Sequence, residues 1–99
     1  MSFVTTQPTE LTAAAENLQG IGSSLAAQNV TAAAPTTGVL PAAADEVSAL
    51  TAAQFATDGQ MYQDISAQAA LIHEMFVNTL GASAGSYAAT EAANAVAAG

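Results

Sequence analysis

The 99-residue sequence contains no lysine, arginine, cysteine or tryptophan. A chain without cations has nothing to neutralise phosphates, which argues against nucleic acid, nucleotides or anionic lipid as its primary ligands. Without cysteine there is no disulfide framework, thiolate metal site or redox couple, and the compartment stays open. No apolar run approaches the roughly 18 residues of a membrane span. The N-terminus has neither the positive charge nor the long apolar core of a cleavable secretory signal, so any export would be read from another segment. No strand-like alternation of any length occurs, and the chain reads as all-α.

What remains is acidic and rich in alanine. Eight carboxylates give a formal net charge of −8, and of the 51 hydrophobic residues 27 are alanine, leaving 24 larger apolar side chains. The length allows one domain at most. So few large side chains make a thin core for a free-standing domain, and a partner is expected.

The spacing predicts helix 1 over about 8–34. Pro8 fits a first helical turn because its missing N–H would be unpaired there anyway, and Glu10 faces the positive end of the helix dipole. Leu11, Leu18 and Leu25 recur every seven residues, with Ala14 and Ile21 three places after the first two, so one apolar stripe forms. Gly20 and Gly22 inside it are either tolerated defects or places where another backbone comes close. A linker over 35–43 follows, marked by Pro35, Gly38 and Pro41. Asp45 and Glu46 open helix 2, expected over about 44–80, with Asp58-Gly59 as a possible break. Residues 1–80 then form the helical domain, and 81–99 a flexible Ala/Gly/Ser-rich tail.

Helix 2 carries more apolar surface than one neighbour needs. Phe55, Tyr62, Ala69 and Phe76 repeat every seven residues, with Ile65 and Ile72 three places after Tyr62 and Ala69. One position back, Met61 and Met75 form a second heptad series, with Val47, Leu50 and Leu71 beside it. The two seams lie about 100° apart around the helix. Helix 1 in a hairpin can cover one of them, which leaves the other, with its adaptable methionines, for a second molecule. The competing arrangement places helix 1 between the seams, covering most of both.

Little in the sequence suggests catalysis. His73 is the single imidazole, the stretch around it lacks a second histidine for zinc, and a surface or interface role is expected. The serines occur without a nucleophile-elbow pattern, the carboxylates are scattered, and no cofactor or metal is implied. Asn29-Val30-Thr31 matches a glycosylation sequon of a kind common by chance. In the tail, Tyr87-Ala-Ala-Thr-Glu91 sets an aromatic and a carboxylate four apart, on one face if helical.

Four segments together resemble the PE family of mycobacteria, small acidic proteins exported by type VII (ESX) secretion. They are Met1-Ser-Phe-Val-Thr-Thr-Gln-Pro8, the linker from Ala34 to Ser48, Ile72-His-Glu-Met-Phe-Val-Asn-Thr-Leu80, and Tyr87-Ala-Ala-Thr-Glu91. The resemblance covers the entire chain and is to the short subgroup made of the PE domain alone. The family's adjacent Pro-Glu is split here by Thr9, a change that keeps an acid in the first turn. The resemblance implies an antiparallel two-helix hairpin that completes a four-helix bundle with a PPE-family protein in an obligate heterodimer. It implies that Tyr87 and Glu91 are the secretion signal, read outside the bundle by the secretion ATPase or channel. A cytosolic ESX chaperone would act through the PPE partner. The joint bundle would take up Leu11, Leu18, Ile21 and Leu25 from helix 1, and Phe55, Met61, Tyr62, Ile65, Leu71, Ile72, Met75 and Phe76 from helix 2. The chain would be cytoplasmic before export and secreted or at the cell surface afterwards. The alternative is a self-associating helical adaptor, a homodimeric four-helix bundle with a host-facing or cell-surface role.

Overall fold

The computed structural model describes residues 4–99; Met1, Ser2 and Phe3, which begin the opening segment of the resemblance, lie outside the described residues. Two helices, α1 (Pro8–Thr37) and α2 (Glu46–Ala98), account for nearly all of it, and no strand occurs among the described residues. The all-α reading is correct. Several boundaries differ from those expected, each for a local reason.

Helix α1 begins at Pro8, with the Gln7 carbonyl accepting from the Glu10 and Leu11 N–H groups at 3.1 and 3.2 Å. It runs past Pro35 rather than ending at residue 34. The Thr36 hydroxyl donates to the Ala32 carbonyl at 2.6 Å and that of Thr37 to the Ala33 carbonyl at 2.7 Å, while the Gly38 N–H reaches Ala34 at 2.9 Å. Pro35 removes the partner of the Thr31 carbonyl alone, one turn back, and the hydroxyl donors on the Ala32 and Ala33 carbonyls reinforce the turn around it, so the proline is accommodated in the last turn. The connection is therefore 38–45, not 35–43.

Helix α2 starts on a side-chain cap. The Asp45 carboxylate accepts from the Ser48 N–H at 3.0 Å and the Ser48 hydroxyl at 2.7 Å, the arrangement that makes aspartate a favoured N-cap. These two bonds, the hydroxyl first, hold the Asp45 carboxyl below its ordinary value. No break occurs at Asp58-Gly59. The Gln54 and Gln60 amides donate to Asp58 and Asp64, each at 3.0 Å one turn on, and support the helix through this stretch. Nor does α2 end near Leu80: the expected flexible tail is helical through Ala98. Nine of the eighteen residues from 81 to 98 are alanine, the best helix former, which outweighs the roughly 1 kcal/mol cost of each of Gly81 and Gly85.

The chain divides into two compact units. One combines the residues up to Gly22 with His73–Gly99; the other is Ser23–Ile72. In each, a stretch of α1 runs antiparallel to a stretch of α2. The second unit contains the connecting loop and so forms a helical hairpin.

Candidate functional site

The face that pairs α1 with α2 is built mainly from small residues in one unit and mixes small with larger residues in the other. In the Ser23–Ile72 unit, Ala52 is buried, with Ala56, Gly59, Gln63 and Ser66 half-buried on α2 and Ala32, Ala33 and Thr36 half-buried on α1. A Cβ placed on Gly59 would overlap the Thr36 carbonyl, so the two backbones meet here at a distance only glycine allows. The Gln63 amide reaches the Thr36 hydroxyl at 3.4 Å, and the Tyr62 hydroxyl donates to the Asn29 side-chain oxygen at 3.1 Å.

In the other unit Ala15, Val77 and Ala84 are buried and Leu11, Leu18, Gly22, His73 and Leu80 half-buried. His73 Nε2 lies 2.7 Å from the Leu18 carbonyl oxygen. A carbonyl can only accept, so this nitrogen carries the proton. The ring fills the space that Gly22 leaves: a Cβ there would stand 2.7 Å from its Cδ2 and Nε2. Of the two α1 glycines, Gly22 has a packing reason, although its neighbour is a side chain and not the expected backbone. Gly20 faces nothing within 4 Å.

The larger apolar residues point elsewhere. Phe55, Met61, Tyr62, Ile65, Leu71 and Ile72 in the Ser23–Ile72 unit are 50–65 % exposed, as are Leu25 there and Ile21, Met75 and Phe76 in the other unit. The expectation that helix 1 covers one seam of helix 2, or lies between the seams, is overturned. Neither seam is covered, because α1 packs against a third face, rich in small residues. Of the residues expected in a joint bundle, Leu11 and Leu18 alone are half-buried within the chain.

At the far end of α2, Tyr87 and Glu91 are one turn apart on a helix where the sequence suggested a flexible tail, and their surroundings differ. Tyr87 is 47 % exposed. Glu91, expected to stand free, is half-buried and engaged: its Oε1 accepts from the Thr6 N–H at 3.0 Å and from the Thr6 hydroxyl at 2.9 Å. These bonds to the charged form, the backbone one first, lower the carboxyl's pKa from its ordinary 4.5. Nothing in the sequence pattern pointed to Thr6, which lies 85 positions away. Beside it a shallow groove runs between Thr9, Thr12 and Glu16 of α1 and Ala84, Gly85 and Ala88 of α2, with Glu16 its only charged lining. Among the described residues no group of three or more His, Cys, Asp or Glu could hold a metal ion, and no helix is long and apolar enough to cross a membrane.

The family model described as "PE family" matches residues 4–94. The chain belongs to the PE family. It is 64 % identical over 98 residues to PE family protein PE13 of Mycobacterium tuberculosis, with 99 % of each chain covered. It is 60 % identical to PE family protein PE8 of the same organism, covering 99 % of this chain but only 36 % of that protein. With PE-PGRS family protein PE_PGRS33 of M. tuberculosis the identity is 61 %, over 96 % of this chain and 20 % of the relative. The resemblance read from the four sequence segments is thus correct, and the fold described above is that of a PE-family chain.

Proposed function

We propose that this chain is the PE half of a PE–PPE heterodimer and carries a C-terminal Tyr-x-x-x-Glu signal, Tyr87 and Glu91, for type VII (ESX) secretion. Its work is packing and recognition, without a catalytic step. The observation that carries this reading is the inverted distribution of side chains. Mostly small residues hold α1 to α2 while Phe55, Ile65, Ile72, Met75 and Phe76 stay exposed. Burying each such side chain yields roughly 1.5–3 kcal/mol, a gain available only against another molecule. Two helices of a PPE partner would supply that cover and complete a four-helix bundle. The ESX chaperone would grip the partner and not this chain, which passes from the cytoplasm to the medium or cell surface.

Co-expression with a panel of PPE proteins tests the pairing: one should yield a soluble one-to-one complex, whereas this chain alone should be molten or insoluble. A compact, cooperatively melting homodimer of the chain alone would overturn the heterodimer in favour of self-association. For the signal, Tyr87→Ala should leave the complex intact and stop its appearance in the culture medium. Unchanged secretion would remove Tyr87 from that role.

A further inference from the structure

We propose that Glu91 acts as a clasp on the N-terminal segment, through Thr6, and that Tyr87 is the part of the motif left for a reader to touch. The inference rests on the reading of Tyr87 and Glu91 as an export signal and assigns the two residues different jobs. Thr6 lies two residues before the first residue of α1, where its N–H has no partner within the helix. Glu91 supplies one, and the same oxygen takes the Thr6 hydroxyl, at 3.0 and 2.9 Å. Two donors converging on one carboxylate oxygen fix the side chain and tie the start of the chain to the last turns of α2. Bonds of a neutral donor to an ionised acceptor are the stronger kind. A carboxylate committed in this way is not presented as a bare charge. Tyr87, one turn earlier, makes no such commitment of its ring, which stays about half exposed. Glu91 and Thr6 are then positioning residues: they hold the turn that displays Tyr87.

This division of labour separates variants that a directly read charge would group together. Glu91→Gln keeps an oxygen acceptor and removes the charge; Glu91→Ala removes both. Thr6→Val keeps the shape and the N–H and loses the hydroxyl, and Thr6→Ser restores it. Each is made in the full chain co-expressed with its partner in a mycobacterial host. Two quantities are read: the amount exported, against Tyr87→Ala, and the exchange rate of the Thr6 amide in the purified complex. A clasp predicts near-parental export for Glu91→Gln and Thr6→Ser and reduced export for Thr6→Val and Glu91→Ala. In Glu91→Ala the Thr6 amide should exchange about fivefold faster, the usual equivalent of one net hydrogen bond. The proposal is overturned if Glu91→Gln is as defective as Tyr87→Ala while the Thr6 amide stays protected, because the charge is then read directly. It is equally overturned if Thr6→Val exports normally while Glu91→Ala does not. Parental export of Tyr87→Ala would instead remove the export reading, and the clasp would then be judged by the Thr6 amide alone.

Discussion

The side of each helix turned toward its intrachain neighbour and the side turned to solvent are opposite in kind. Inward lie Ala15, Val77 and Ala84 in one unit and Ala52, Ala56 and Gly59 in the other; outward lie Phe55, Ile65, Ile72, Met75 and Phe76. A surface helix of a self-sufficient domain has the reverse arrangement, large apolar groups in and polar groups out. Small inward residues give little burial, since a methyl group is worth about 0.8 kcal/mol, but they allow close approach and a defined register. Intrachain packing here sets geometry, and the apolar area that could supply most of the stability remains on the outside.

The largest expected effect comes from the outer side. Ile72→Asp should cost about 3–5 kcal/mol in a complex that buries the position and abolish co-purification with the PPE partner, because the charge would be unpaired. The helix content of the chain by circular dichroism should hardly change, as Ile72 is 65 % exposed. Recovery of the complex at parental yield would break the contrast between the two sides. Next comes the inner side. Gly59→Ala should destabilise the co-purified complex by about 1–3 kcal/mol in thermal unfolding, since the neighbour that must yield is the Thr36 backbone. Gly20→Ala, with open space around it, should stabilise by about 0.5–1 kcal/mol through helix propensity alone. Gly22→Ala falls between them. The propensity gain is offset by displacement of the His73 ring from the Leu18 carbonyl, for a net change near zero. In a His73→Ala background the same substitution should become stabilising, and a double-mutant cycle reads the difference.

The smallest effect is acid sensitivity. The Glu91 and Asp45 carboxyls both have lowered values in the fold, so their contribution is fully present above the ordinary values of 4.5 and 3.8. It is lost as the pH falls through the still lower folded values. Exchange of the Thr6 and Ser48 amides, relative to neighbouring amides, should therefore be flat between about pH 5 and 8 and should rise only in stronger acid. A rise near neutrality would mean that other groups hold these ends.

Much of the fold was legible because its signals are local. Pro8, Glu10 and the Asp45-Glu46 pair mark helix starts by chemistry that acts within one turn. The helix ends were less legible. Pro35 signals a stop, but it removes a single ladder bond and the Thr36 and Thr37 hydroxyls add donors to the turn around it, and the run after Gly81 reads as loose although its alanines carry the helix on to Ala98. The inner face was missed for a different reason. Heptads of Phe, Tyr, Met and Ile are conspicuous, whereas the contact on α2 runs through alanine, glycine, serine and glutamine in one unit and through His73, Val77, Leu80 and Ala84 in the other, a mixture that hydrophobic periodicity weighs little. Tyr87 and Glu91 were legible as a spaced pair. That Glu91 answers to Thr6 was not, since no short-range pattern links residues at opposite ends of a chain.

The partners of the carboxylates have a consequence of their own. Glu91 is met by a threonine, Asp45 by a serine, Asp58 and Asp64 by glutamines: every one of these donors is neutral. With no lysine or arginine in the chain, either of these side chains found opposite any of its acids has to come from a different molecule. Ionic strength therefore discriminates between inside and outside. Electrolyte screens attraction between full charges across an exposed boundary and has far less hold on these neutral-donor contacts, so raising it should loosen any charge-steered association while leaving the clasps within the chain in place.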